Sequence, residues 1–238
     1  MRKMLAVLVL AAVASTATAQ GGGGRAGMPG MEATKKVTQT GPVPAGWMVR
    51  VDFPERGEKA EDLNFTTMGP GMHVTAGPHA SFWNPSNTAS GKYTISAQFG
   101  VRKTPLHDAV GLFWGGSDMT GDNESYAYFI IYGDGGFTVK HRASAKSQTA
   151  SARNNNTGDV HTVIPKTMNP AIVAAPADGG SASNTLEVRV APDSVRFVVN
   201  GTQVAAVDAK NPMMPNAGIY GFRVNHNIDV HIGGFGKK

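Results

Sequence analysis

The sequence has no cysteine in 238 residues. That absence excludes structural disulfides, thiolate metal sites and a cysteine nucleophile. It also excludes the lipidated cysteine of a bacterial lipoprotein. Long apolar runs are equally scarce. The one apolar stretch, residues 5–13, is too short to span a bilayer, and Ser15, Thr16 and Thr18 close it off. A strong charge of either sign is missing too. The formal charge is +5, from 22 Lys+Arg against 17 Asp+Glu, and the basic residues are scattered apart from Lys35-Lys36, Arg102-Lys103 and Lys237-Lys238. A nucleic-acid binder clusters its bases on one face, so no nucleic-acid partner is expected. Convincing helical periodicity is absent, and with it the helix-borne H-x-x-x-H zinc site, the nucleophile elbow G-x-S-x-G and the phosphate loop before a helix.

What is present begins with an export signal. Arg2 and Lys3 precede the apolar stretch, and Ala17-Thr18-Ala19 supplies the small-x-small pattern read by signal peptidase. Residues 1–19 are therefore expected to be a signal peptide and the mature chain secreted or periplasmic, with no transmembrane segment left after cleavage. Removing those nineteen residues from 238 leaves 219, and the loss of Arg2 and Lys3 lowers +5 to +3. Residues 20–44 carry a Gly/Pro-rich run that reads as a flexible linker. The folded domain is then 45–238. It must be held by its core alone, and about 200 residues bury enough apolar surface for that.

From Trp47 onward the period is two. Tyr93, Ile95, Ala97 and Phe99 alternate with Lys92, Thr94, Ser96 and Gln98. Leu186, Val188 and Val190, then Val195, Phe197 and Val199, then Ile228, Val230 and Ile232 repeat the pattern of half-buried antiparallel strands. Further strands are predicted at 47–53, 64–68, 71–76, 79–83, 109–114, 126–132, 137–141, 160–164 and 217–224. Ala191-Pro192-Asp193-Ser194 and Asn200-Gly201 join three strands into a meander, the second through a type I′ turn. Thirty glycines and fourteen prolines punctuate short strands. Residues 143–158 and 165–184 read as long surface loops, the places where recognition often sits.

These residues resemble a known group. The stretch 184–204, NTLEVRVAPDSVRFVVNGTQV, is similar to a strand, turn, strand and NG hairpin of concanavalin A-like lectin/glucanase jelly rolls. The glycine-led 217–221, AGIYG, the ending 228–235, IDVHIGGF, and the hairpin 126–139 fit the same pattern. Laminin G-like domains and exported 3-keto-disaccharide hydrolase-like domains are the relatives it resembles. The resemblance implies an all-β, two-sheet antiparallel jelly-roll sandwich and a carbohydrate or cell-envelope glycan as partner.

The glucanases of that fold carry an E-x-D-x-x-E strand, and none occurs here. Catalytic candidates reduce to Glu124 with His141. Asp118, Asp122 and Glu124 form an acidic loop with the hard oxygen ligands that calcium takes, set against the simpler reading of a polar turn. Ligand-binding candidates are aromatic and polar: His79, Trp83 and Asn84 together, Trp114 beside Gly115-Gly116, and Tyr126 and Tyr128 near Glu124. Trp114 ends an apolar strand and fits a core position as well as a platform. Three functions stay open: a non-catalytic glycan-binding module, a glycoside hydrolase of the 3-keto-disaccharide type, and a structural or protein-interaction domain of the envelope.

Overall fold

A computed structural model describes residues 34–38, 41–102, 109–144 and 160–238. The proposed signal peptide, His107 and most of the 143–158 loop lie outside them. Apart from two single-turn 3₁₀ segments, the described chain is built of strands. In order these are β1 (Met48–Val51), β2 (Leu63–Met68), β3 (Gly71–Ala76), β4 (Ala80–Trp83), β5 (Thr88–Ser90), β6 (Tyr93–Arg102), β7 (Ala109–Ser117), β8 (Ser125–Tyr132), β9 (Gly136–Ala143), β10 (Val160–Met168), β11 (Ser181–Val190), β12 (Ser194–Val199), β13 (Thr202–Asp208), β14 (Ala217–Val224) and β15 (Ile228–Lys237).

They form two antiparallel sheets. One has eight strands, in the order β1-β4-β14-β7-β8-β9-β10 with β5 beside β14. The other has seven, in the order β13-β12-β11-β6-β15-β3-β2. Consecutive hairpins such as β7-β8-β9-β10 alternate with neighbours from distant parts of the chain, such as β4-β14 and β6-β15, as in a jelly roll. The alternation read from sequence decides which residues meet between the sheets. Ile95, Phe99, Leu186, Val188 and Phe197 from one sheet, and Phe82, Leu112, Phe129, Val139 and Phe222 from the other, are buried in a single core. Removing such a side chain from water contributes about 1.5–3 kcal/mol each. Phe129 packs on Phe197 at 5.1 Å and Phe82 on Phe222 at 4.9 Å between ring centres.

The turns behave as their residues require. Asn200 and Gly201 have φ of 50° and 82°, the two positive values of a type I′ turn. The Asn200 amide also donates to the Ala171 carbonyl at 2.9 Å and to Asn184 Oδ1 at 2.8 Å. Fully buried Asn184 in turn brackets the Val173 backbone. The hairpin and the 169–175 segment are thus tied together.

Two expectations change. The 165–184 loop shrinks to 169–180, because β10 pairs with β9 as far as Met168. Pro165 falls in a register shift between Ile164 and Thr167 on an edge strand, where its missing N–H costs no ladder bond. The 20–44 linker is docked over its last part. The Lys35 N–H donates to Asn227 Oδ1 at 2.8 Å, Gly41 N–H to Asn64 Oδ1 at 2.7 Å, and Phe65 N–H to the Gly41 carbonyl at 3.1 Å. A Cβ at Gly41 would lie 1.7 Å from the Phe65 oxygen, so this glycine permits a close backbone approach.

Candidate functional site

The inward residues of the eight-stranded sheet leave every second position on its other, outer face. Tyr126, Tyr128, Ile130 and Tyr132 of β8 point there with Phe113 of β7, and with Trp83 and Met119 they make a second apolar cluster apart from the main core. Phe113 meets Tyr126 at 5.2 Å, and Tyr126 meets Tyr128 at 5.9 Å. Trp83, Tyr126 and Tyr128 are all buried.

Beside this floor lies a network of buried charges. Arg223 of β14 follows inward Phe222 and so faces outward. Its guanidinium grips both oxygens of Asp52, with Nη1 donating to Oδ1 at 2.9 Å and Nη2 to Oδ2. Nη1 also reaches Tyr126 Oη at 2.9 Å and Ser81 Oγ at 3.2 Å, and the guanidinium lies 4.6 Å from the centre of the Tyr128 ring. Arg142 of β9, paired across from Tyr126, is 3.2 Å from Asp52 Oδ2 and donates to Glu124 Oε1 at 3.0 Å. Arg50 of β1 closes the chain, 2.6 Å from Glu124 Oε2, and donates to the carbonyls of Met119 and Gly121. Bidentate guanidinium–carboxylate pairs combine strength with fixed geometry.

Titration follows from this arrangement. Burial alone would raise the Asp52 pKa, but the adjacent Arg223 and Arg142 outweigh it and hold the carboxyl below the ordinary range. Burial alone would lower the Arg223 pKa, but Asp52 outweighs it and raises the value, so the guanidinium is charged. Burial raises the Tyr126 and Tyr128 phenols, and lifts Tyr132, with help from Tyr128, to about 12. All three are neutral hydroxyls at physiological pH.

Toward β10 the outer face becomes reachable. Lys140 of β9 pairs across from Tyr128 on one side and Thr162 on the other. Lys140 is half-buried and Thr162 exposed. Farther along, Lys166 Nζ sits 4.4 Å from the centre of the Tyr132 ring and pairs with Asp134 at 2.5 Å.

The residues singled out from sequence are only partly gathered here. Glu124, Tyr126, Tyr128 and Trp83 belong to the outer face. His141 does not. It lies opposite Ala127 on the inward side of β9, its Nε2 3.1 Å from Ser125 Oγ, so Glu124 and His141 form no acid–base pair. Burial, aided by His161, lowers the His141 pKa to about 4. Trp114 is a correction to its reading as a platform: it is fully buried between the sheets against Phe197, its indole N–H donating to Pro215 O at 3.0 Å. His79 stacks on His226 at 4.6 Å and lies 3.8 Å from buried Glu58. Asn84 Oδ1 accepts from Ser86 N–H and Oγ in a local turn. Asp118 Oδ2 accepts from Asn123 N–H and closes the acidic loop on itself, while Glu124 is committed to arginines. Among the described residues no three His, Asp or Glu side chains are grouped so as to hold a metal ion.

Sequence reasoning missed Asp52, Arg50, Arg142, Arg223 and Lys140. The alternation does assign Arg223 and Lys140 to an outer face, but a charged residue at such a position reads as solvated. Only the sheet order brings β1, β14 and β9 together.

No protein-family model and no curated protein matches the sequence. Solved structures do. The chain is similar to the carbohydrate binding module CBM66 from Bacillus subtilis, at 12% identity over 81% of this chain and 95% of that one, with a TM-score of 0.52. It is also similar to the Bacteroides ovatus mixed linkage glucan PUL GH16 protein, solved in complex with G4G4G3G product, at 9% identity over 83% of this chain and 86% of that one, with a TM-score of 0.51. At such identities the likeness is one of fold, and the chain has the concanavalin A-like jelly-roll fold.

Proposed function

We propose that this chain is an exported, non-catalytic glycan-binding module that uses the β8–β10 end of the outer face. The observation that carries this reading is the state of the buried carboxylates Asp52 and Glu124 on that face. Two-carboxylate hydrolysis needs one group that holds a proton near neutrality beside a second that is ionised. Asp52 is held ionised by two guanidinium groups, and both oxygens of Glu124 are ion-paired. What stays available is recognition chemistry: the Lys140 ammonium and the Thr162 hydroxyl, beside the buried Tyr128 and Tyr132 rings. A few placed polar groups on an aromatic wall suit a polyhydroxylated ligand. Export is supported by residues 1–19, and a glycan partner by a fold shared with a carbohydrate binding module.

A glycan array with the purified protein tests this reading. Binding to at least one glycan is expected, about fivefold weaker in Thr162→Val through the loss of one hydrogen bond, with no new reducing ends released from the bound polymer. Release of sugar by the wild-type protein would overturn the non-catalytic assignment, and an empty array would overturn glycan binding.

A further inference from the structure

The ion pairs of the outer face leave one cation over. In the buried ion-pair network of this face three arginines, Arg50, Arg142 and Arg223, meet two carboxylates, Asp52 and Glu124, and Lys140 lies one strand pairing away, across from Tyr128. Both carboxylates are consumed by the three arginines. Lys140 is left over: among the described residues no carboxylate pairs with its amine. A second donor is also unspent. Arg223 is almost wholly buried, yet its Nε–H has no hydrogen-bond acceptor. A buried donor left without a partner costs about 1–3 kcal/mol, and an unpaired ammonium beside a guanidinium adds repulsion to that cost.

Two features keep the excess charge where a ligand can reach it. Lys140 is half-buried, not sealed, with exposed Thr162 next to it on the edge strand β10. On its other side is Tyr128, over which Arg223 lies. A single anionic group above this strip could take a charge-assisted bond from the ammonium and a hydroxyl bond from Thr162, in the field of Arg223. Burial, together with Arg223, lowers the Lys140 pKa, which is the direction expected of a cation lacking its counter-charge. The neighbouring cation, Lys166, is already neutralised by Asp134 and does not compete.

We propose that Lys140, with Thr162 beside it and Arg223 on the same face, receives the anionic group of an acidic polysaccharide, a carboxylate or a sulfate ester on the sugar. The inference rests on the glycan-binding reading above and narrows its ligand class. It also gives the face a means of discrimination. A neutral sugar would leave the excess positive charge uncompensated, whereas an acidic one neutralises it in a partly desolvated place, where charge pairing is stronger than in water.

The test is a set of binding isotherms for the purified protein with polygalacturonate, dextran sulfate and neutral dextran. Polygalacturonate or dextran sulfate is expected to bind, the one that does identifying the anion as carboxylate or sulfate, and dextran is expected to bind at least tenfold more weakly. Lys140→Met should weaken acidic binding about tenfold or more, the loss of one charged hydrogen bond, while Lys140→Arg retains it. Thermal melting of each variant separates lost binding from lost folding, and Lys140→Gln serves if the methionine variant melts early. Lys92→Met, at an exposed lysine outside the eight-stranded sheet, should bind as the wild type does. Equal weakening in Lys92→Met and Lys140→Met, or unchanged binding in Lys140→Met, would overturn the site. Binding of dextran as tight as that of the acidic polymers would overturn the charge preference and leave the glycan reading standing. Failure of every polymer and every arrayed glycan would remove both.

Discussion

On its inner face the eight-stranded sheet offers Phe82, Phe129, Phe137 and Phe222 to the sheet opposite. On its outer face the same strands carry Ser81, Tyr126, Tyr128, Arg142 and Arg223, nearly as well buried. The chemistry of burial differs. Inside, the gain is area removed from water, which has no direction and tolerates any close-packed arrangement of similar volume. Outside, each guanidinium must meet its carboxylate in one geometry, because a buried charge without its partner costs several kcal/mol. One face makes the sandwich stable, and the other makes a particular arrangement of donors rigid.

Substitutions can sharpen that contrast. The largest effect is expected at Arg223. Arg223→Met keeps most of the volume but strips Asp52 of its bidentate partner, and should cost about 3–5 kcal/mol in denaturant unfolding. Adding Asp52→Asn to that variant removes the stranded charge and should recover at least half of the loss. Phe129→Ala on the inner face should cost a similar ~3–5 kcal/mol through its cavity, with no neighbouring change able to restore it. If Arg223→Met unfolds within about 1 kcal/mol of the wild type, the two faces do not differ as described.

The next effect is a pH dependence at the rim of the inner face. His141 is buried neutral, with its pKa lowered from 6.5 to about 4. The unfolded chain therefore binds the extra proton between those values, and stability must fall as the pH drops from about 6.5 to 4, being fully present above 6.5. The loss should approach about 2–3 kcal/mol by pH 4. Unfolding curves of His141→Gln across that window should be flatter by the same amount, and curves of equal slope would refute a buried neutral imidazole. The smallest change is Thr138→Val on the outer face. It removes a hydrogen bond of 2.7 Å to the Ile164 carbonyl at the bulge of β10 and should cost about 1 kcal/mol in the same measurement.

Much of the fold was legible residue by residue. Tyr93, Ile95, Ala97 and Phe99 are buried together, as their period of two requires, and Asn200-Gly201 adopts the turn its side chains favour. Local sequence is sufficient there because a strand's two faces and a tight turn's dihedrals are decided within a few residues. The reading failed where a local signal has two outcomes. Pro165 suggested a loop, yet an edge-strand bulge absorbs it. Gly41 suggested slack chain, yet it allows a close backbone contact. Trp114 could have been platform or core, and only the packing of Phe197 from the other sheet makes it core.

The candidate site was less legible. Tyr126, Tyr128 and Glu124 are close in sequence and stood out together. Arg223, which bonds Tyr126, lies 171 positions from its own partner Asp52, and the two meet only because β4 joins β1 to β14.

The sequence by itself determined the period of two in most strands, the turns between them, and therefore an all-β chain whose strands mostly have an oily and a wet side. Those features depend on neighbours along the chain. The order of strands within each sheet was decided by tertiary structure, and with it which wet sides would be covered and which charges would meet. That order depends on contacts between distant segments, to which a pattern repeating every two residues carries no reference.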